Sequence, residues 1–201
     1  LQHGQTMTLA SDAGVTAFGG DGGPNCNFVG VDNGNTNTLT VNGGTLNLTN
    51  MANGAGYLRV GINGDATKKP TGVFNVNGGV VNVGHSMSLG TRFDNKLAAA
   101  YGEGTFSLSG GEVNIGTGAS TATENGCRGW LYLGNNHGST VSKSTVNLNG
   151  GVLSLVQIEG GACGVNTLNL NGGTLRARAD NGTFINGGLV CNMDAGGVVI
   201  D

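Results

Sequence analysis

Charge is the first thing this sequence lacks. Only 10% of its 201 residues are Asp, Glu, Lys or Arg, and they sum to a formal net charge of −3 at pH 7. Nucleic-acid binding through phosphates needs a concentrated basic field, so nucleic acid is excluded as a partner. Long apolar runs are missing as well. No stretch approaches the roughly 20 residues that cross a bilayer as a helix, so no membrane insertion by this segment is expected. Proline occurs twice and aromatic residues make up 5%. Glu and Lys number four each beside 41 Gly, 26 Asn and 20 Thr, a balance that disfavours helix interiors and favours turns between short β-branched strands.

Glycine is abundant, at 41 residues, and Gly-rich low complexity often marks an unfolded tract. Two features oppose that reading. Hydrophobic residues reach 37%, and they fall at period two, so they can share one buried face. The alternation is itself repeated: "LTVNGGTLNL" at 39–48 returns as "FNVNGGVVNV", "FSLSGGEVNI", "VNLNGGVLSL" and "LNLNGGTLRA". The second glycines of these bends are Gly44, Gly79, Gly111, Gly151 and Gly173, at intervals of 35, 32, 40 and 22 residues. Weaker copies place bends at Gly14 and Gly197. Between bends lies a third element: "FVGV" from Phe28, "YLRVG" from Tyr57, "MSLG" from Met87, "WLYLG" from Trp130 and "VQIEG" from Val156.

The 22-residue interval holds all three elements with hardly a residue to spare, so it is the bare unit. Three strands of about 3 to 5 residues, at roughly 3.3 Å each, joined by three corners, make one turn of a three-sided β-helix. The longer intervals add loops at corners, such as "GINGDATKKPTG" and "GTRFDNKLAAAYGEG". Leu39, Val41, Leu46, Leu48, Val76, Val81, Leu108, Val113, Leu148, Leu153, Leu168, Leu170 and Leu175 are predicted to point inward, with Asn and Thr facing water. The predicted turn residues are Asn42, Gly43 and Gly44; Asn77, Gly78 and Gly79; Gly110 and Gly111; Asn149, Gly150 and Gly151; Asn171, Gly172 and Gly173; and Gly196 and Gly197. Such corners commonly need φ > 0, which Gly adopts freely and Asn tolerates, and stacked Asn side chains can bond one another along the rod. The competing reading takes each Asn-Gly as a hairpin turn in an antiparallel meander or sandwich. It gives no reason for a third strand between every pair of bends.

The expected architecture is therefore all-β, one β-solenoid domain over 1–201, with three short strands per coil. Seven bends give six to seven coils and a rod about 30 Å long at roughly 4.8 Å per coil. Both termini fall inside the repeat, so the chain reads as an excerpt or repeat unit of a longer protein or filament. Its expected partners are copies of itself stacked end to end or further repeats of the same chain, pairing the edge at 198–201.

The units "LTVNGGTLNL", "FNVNGGVVNV" and "LNLNGGTLRA", with the tail "LNLNGGTLRARADNGTFINGGLVCNMDAGGVVID", resemble the autotransporter-associated β-strand repeats of bacterial surface and secreted proteins. The resemblance implies a right-handed parallel β-helix displayed outside a bacterial cell as stalk, adhesin or secreted matrix. No membrane-anchoring β-barrel accompanies it here.

The residues that could carry chemistry are dispersed. His3, His85 and His137 sit at Gly-rich corners without zinc-like spacing, and read as solvent-facing loop histidines. Asp21, Asp32 and Asp65 lie in Gly/Asn-rich loops where calcium is conceivable, but the calcium-binding Gly-Gly-x-Gly-x-Asp nonapeptide is absent; no cofactor is expected. Polysaccharide-degrading β-helices need clustered carboxylates, whereas the 12 acidic residues here are scattered. Glu103 and Glu112 lie in neighbouring segments, and Glu112 has no evident partner. On the third strand Leu58, Val60, Leu131 and Leu133 take inward sites, which turns Tyr57, Arg59, Trp130 and Tyr132 outward as a surface for glycans or a partner, unless loops fold over them. Cys127 and Cys163 are the best intrachain disulfide pair; Cys26 and Cys127 lie too far apart. Cys191 alternates with Leu189 and Met193 and reads as a core cysteine. Asn47 and Asn181 fit the N-glycosylation pattern. The sequence favours a noncatalytic structural rod, with a carbohydrate-binding adhesin as the alternative and a polysaccharide-degrading enzyme behind both.

Overall fold

The computed structural model describes residues 6–9, 14–16, 26–31, 34–48, 56–62, 69–90, 101–117, 129–134, 142–162 and 164–201. Among them there is no helix, only strands joined by corners. Coil one is β1 (Thr6–Leu9), β2 (Gly14–Thr16) and β3 (Cys26–Val31); coil two is β4 (Thr36–Val41), β5 (Thr45–Leu48) and β6 (Tyr57–Ile62). Coil three is β7 (Thr71–Val76), β8 (Val80–Val83) and β9 (Met87–Leu89); coil four is β10 (Gly102–Leu108), β11 (Glu112–Ile115) and β12 (Trp130–Leu133). Coil five is β13 (Ser142–Leu148), β14 (Val152–Leu155) and β15 (Gln157–Gly160); coil six is β16 (Val165–Leu170), β17 (Thr174–Ala177) and β18 (Ile185–Gly187). The last coil contributes β19 (Val190–Met193) and β20 (Val199–Ile200).

Each strand pairs in parallel with the strand three places on. The result is two seven-stranded sheets, β1-β4-β7-β10-β13-β16-β19 and β2-β5-β8-β11-β14-β17-β20, and a six-stranded third, β3-β6-β9-β12-β15-β18. This is the right-handed β-helix with three strands per coil. No antiparallel pair forms across an Asn-Gly-Gly bend; at Gly79 the bend leads from β7 in the first sheet to β8 in the second. The hairpin reading is thereby excluded.

Period-two alternation becomes continuous columns in the interior. Leu39, Phe74, Phe106, Val146 and Leu168 stack in register, beside Val41, Val76, Leu108, Leu148 and Leu170. The second sheet adds Leu46, Val81, Val113, Leu153 and Leu175, and the third adds Leu58, Met87, Leu131 and Ile158. All of these side chains are buried. Each removes apolar area worth about 1.5–3 kcal/mol from water. Phe74 and Phe106 stack with ring centroids 5.3 Å apart.

The corners explain the glycines. Gly79 has φ +80°, and a Cβ there would lie 2.5 Å from the carbonyl oxygen of Gly44 in the coil below, so the corner tolerates no side chain on steric as well as conformational grounds. Successive corners are held by backbone bonds, as where Val80 N donates to Gly44 O at 2.9 Å.

Outside, asparagines form ladders. Asn82 donates its amide to Asn47 at 2.8 Å and Asn114 donates to Asn82 at 3.2 Å on the second sheet. On the first sheet Asn192 donates to Asn169 and Asn169 to Asn147, both at 2.8 Å. At the bend Asn77 donates to Asn42 at 2.9 Å. The ladders thus run along the strands as well as at the corners, where the sequence had placed them.

One interior column is polar. Asn37, Gly72, Gly104, Ser144 and Asn166 stack in register where the chain turns from the third sheet back to the first. Backbone from the third sheet presses so close that a Cβ on Gly104 would lie 2.5 Å from Gly90 N and from Val60 O. Where the column has side chains, they satisfy backbone groups: Ser144 Oγ donates to Leu89 O at 2.8 Å, and the Asn166 amide donates to Gly161 O and Gly188 O at 2.9 and 2.8 Å. Buried polar groups persist when they are paired in this way.

Cys191 holds the column position opposite Leu168, yet it is exposed, which corrects the core reading. Its strand β19 pairs with β16 alone, so the column is covered on one side only. Met193, at 65% exposure, and Ile200, at 64%, share that setting.

Candidate functional site

The third sheet carries the outward aromatic residues, and the register sets their neighbours. Arg59, Ser88, Tyr132, Glu159 and Asn186 form one outer column. Trp130 lies in the next, opposite Gln157. Tyr57 packs against His85 with centroids 4.2 Å apart, and the Arg59 guanidinium lies 5.6 Å from the Tyr57 ring centroid, within cation–π range. Trp130 and Tyr132 are tilted neighbours at 5.5 Å. The four predicted surface residues therefore divide into two clusters, one on β6 and one on β12, with β9 between them.

Tyr132 was expected to project as an exposed ring, but it is only 4% exposed. Its column neighbour Ser88 is buried too, so this stretch of the outer face is closed to solvent. Tyr57, Arg59 and Trp130 remain half-buried. His85, expected at solvent in a loop, is also buried. The corner between β8 and β9 spans only residues 84–86, and His85 N donates to Gly56 O at 2.9 Å, which pulls the residue into the stack. His85 Nδ1 lies 2.8 Å from Ser86 Oγ.

Next to Trp130, β15 and β18 supply a polar network. Gln157 donates its amide to Glu159 Oε2 at 2.7 Å, and Asn186 donates to the same oxygen at 3.0 Å. Asn181 donates to Gln157 Oε1 at 2.7 Å and to Val156 O at 3.2 Å. The Asn181 Oδ1 in turn accepts from Thr183 N at 3.0 Å. Gln157 and Asn181 are thus occupied in holding Glu159 and the 181–183 turn in place. Sequence reading missed this network. Its one local signal was "QIEG" standing where the preceding coil has "WLYL"; Asn181 and Asn186 lie 24 and 27 residues from their partners.

The acidic residues do not converge. Glu103 stands on β10 opposite Lys143. Glu112, read as lacking a partner, has one: Arg176 Nη1 lies 3.8 Å away, and Arg176 Nε lies 3.0 Å from Asp201 Oδ2. The pair escaped notice because two coils separate its members along the rod. Among the described residues no three His, Cys, Asp or Glu gather where a metal ion could sit. Asp21, Asp32, Asp65, His3, His137, Cys127 and Cys163 lie outside the described residues. Of the two glycosylation matches, Asn47 is a ladder acceptor and Asn181 a donor to two groups.

Compared with known proteins, the chain matches no family model, no curated protein and no solved structure.

Proposed function

We propose that this chain is a noncatalytic structural segment of a bacterial surface or secreted protein, a rod or stalk whose product is its shape. The observation that supports the reading is the unbroken parallel stack, with apolar columns inside and Asn ladders outside running coil to coil. Solenoids of this kind add stability by nearest-neighbour stacking and lengthen by adding units. Further coils, of the same chain or of a second copy, extend the rod from β19 and β20. Extracellular placement rests on the resemblance of the Asn-Gly-Gly units to autotransporter-associated repeats.

The test pairs location with turnover. Immunogold labelling of intact producing cells should decorate their outside, and the purified chain should release no sugar product from a panel of plant, fungal and bacterial polysaccharides. Labelling confined to the cell interior, or product release abolished by Glu103→Gln or Glu112→Gln, would contradict the proposal.

A further inference from the structure

Trp130 and the Glu159 network stand side by side on one rigid sheet, and the rod does not require that pairing. The outer columns also take a residue as small as serine, as Ser88 on the neighbouring strand demonstrates. Instead a half-buried indole lies opposite Gln157, diagonal to a carboxylate that two amides hold still. In-register strands are about 4.8 Å apart and alternate residues along a strand about 6.6 Å, so the indole and Glu159 frame a span of one six-membered sugar ring.

The bonding inventory shows which atoms can serve a ligand. Both amide hydrogens of Asn181 are engaged, and Gln157 gives its amide to Glu159 and its oxygen to Asn181. Those two residues act as supports. Glu159 receives both of its bonds on Oε2, which leaves Oε1 as an acceptor, and exposed Asn186 keeps its amide oxygen and a second N–H. An aromatic face with a fixed acceptor and a donor–acceptor amide beside it is recognition chemistry for a hydroxylated ring: C–H bonds lie on the indole and hydroxyls reach the polar atoms. Among the described residues one carboxylate and no cation stand in the frame, which opposes acidic sugars.

We infer that Trp130, Glu159 and Asn186 form a binding subsite for a neutral hexopyranose unit of a polysaccharide, with Gln157 and Asn181 as positioning residues. The site goes beyond the rod reading and does not depend on it. It also replaces the four-residue aromatic surface, since Tyr132 is closed off and Tyr57 is packed by His85 and Arg59.

Trp130 is the only tryptophan in the chain, so its emission reports on this site alone. The full chain is titrated with neutral glucan, mannan and galactan, with N-acetylglucosamine oligomers, with polygalacturonate, and with the free monosaccharides. The expected result is a saturable blue shift with at least one neutral polymer and a weaker affinity for its monosaccharide. Glu159→Gln, which keeps an acceptor for Gln157 and Asn186, should weaken binding tenfold or more at unchanged melting temperature. Asn186→Ala should weaken it several-fold, and Trp130→Ala should abolish binding measured by affinity electrophoresis. No emission change across the panel, a response to polygalacturonate alone, or binding untouched by Glu159→Gln and Asn186→Ala would each overturn the subsite and leave the rod reading standing.

Discussion

Replacing Gly79 with alanine separates the two costs that the Asn-Gly-Gly corner imposes. The first is conformational: Gly79 has φ +80°, and an L-residue pays about 1–2 kcal/mol to enter that region. The second is steric. The new Cβ would lie 2.5 Å from Gly44 O and 2.6 Å from Gly43 C, both backbone atoms that cannot swing aside. Relief requires opening the seam between coils two and three, at the cost of the Val80–Gly44 and Asn77–Asn42 bonds, each 2.9 Å. Overpacking of this kind costs about 1–3 kcal/mol, for a total of about 2–5 kcal/mol with the conformational cost. Gly197 supplies the control, since its φ is +61° and nothing lies within 4 Å of its Cβ position; there only the conformational share, about 1–2 kcal/mol, applies. Gly182 has open space and no positive φ, so Gly182→Ala should stay within about 0.5 kcal/mol of wild type. Urea denaturation followed by far-UV circular dichroism, checked for a single transition, ranks the three. Equal losses for Gly79→Ala and Gly197→Ala would refute the claim that stacked backbone, rather than turn geometry alone, excludes side chains here.

Phe74→Leu and Phe106→Leu should each cost about 1–3 kcal/mol, and the double variant should cost less than the sum by about 0.5–1.5 kcal/mol, the ring–ring share; strict additivity in urea melts would show that the 5.3 Å stack carries no coupling. Asn82→Ala removes two ladder bonds and Asn192→Ala one, so denaturation should show losses of about 1–3 and about 0.5–1.5 kcal/mol; equal losses would mean the ladder is decorative. Cys191 is exposed, but the coil beneath it desolvates the thiolate on one side and pushes the thiol above its ordinary pKa. Its alkylation, followed by peptide mapping against pH, should therefore reach half-maximal rate at higher pH than a free cysteine peptide, and a midpoint at or below the peptide's would contradict that setting.

The fold was legible because its determinants are local and repeated. The five Gly-Gly bends, four of them Asn-Gly-Gly and one Ser-Gly-Gly, and the bare 22-residue interval carry period, corner and strand count together, and each inward residue follows from alternation. What escaped is what depends on the third dimension. Nothing around Gly72, Gly104, Ser144 or Asn166 announces that they share a column, because loops of unequal length scramble their spacing. Arg176 and Glu112 meet across two coils, and Glu159 joins Asn186 from 27 residues away. Tyr132 and His85 obeyed alternation and corner logic, but burial depends on what lies over a residue, and period-two patterning carries no information on that.

The rod itself is tested most directly by cryo-electron microscopy of the native protein isolated from producing cells. The expected result is an extended particle of uniform three-sided cross-section with an axial repeat of about 4.8 Å, one coil per step. A compact globular particle without that repeat would contradict it.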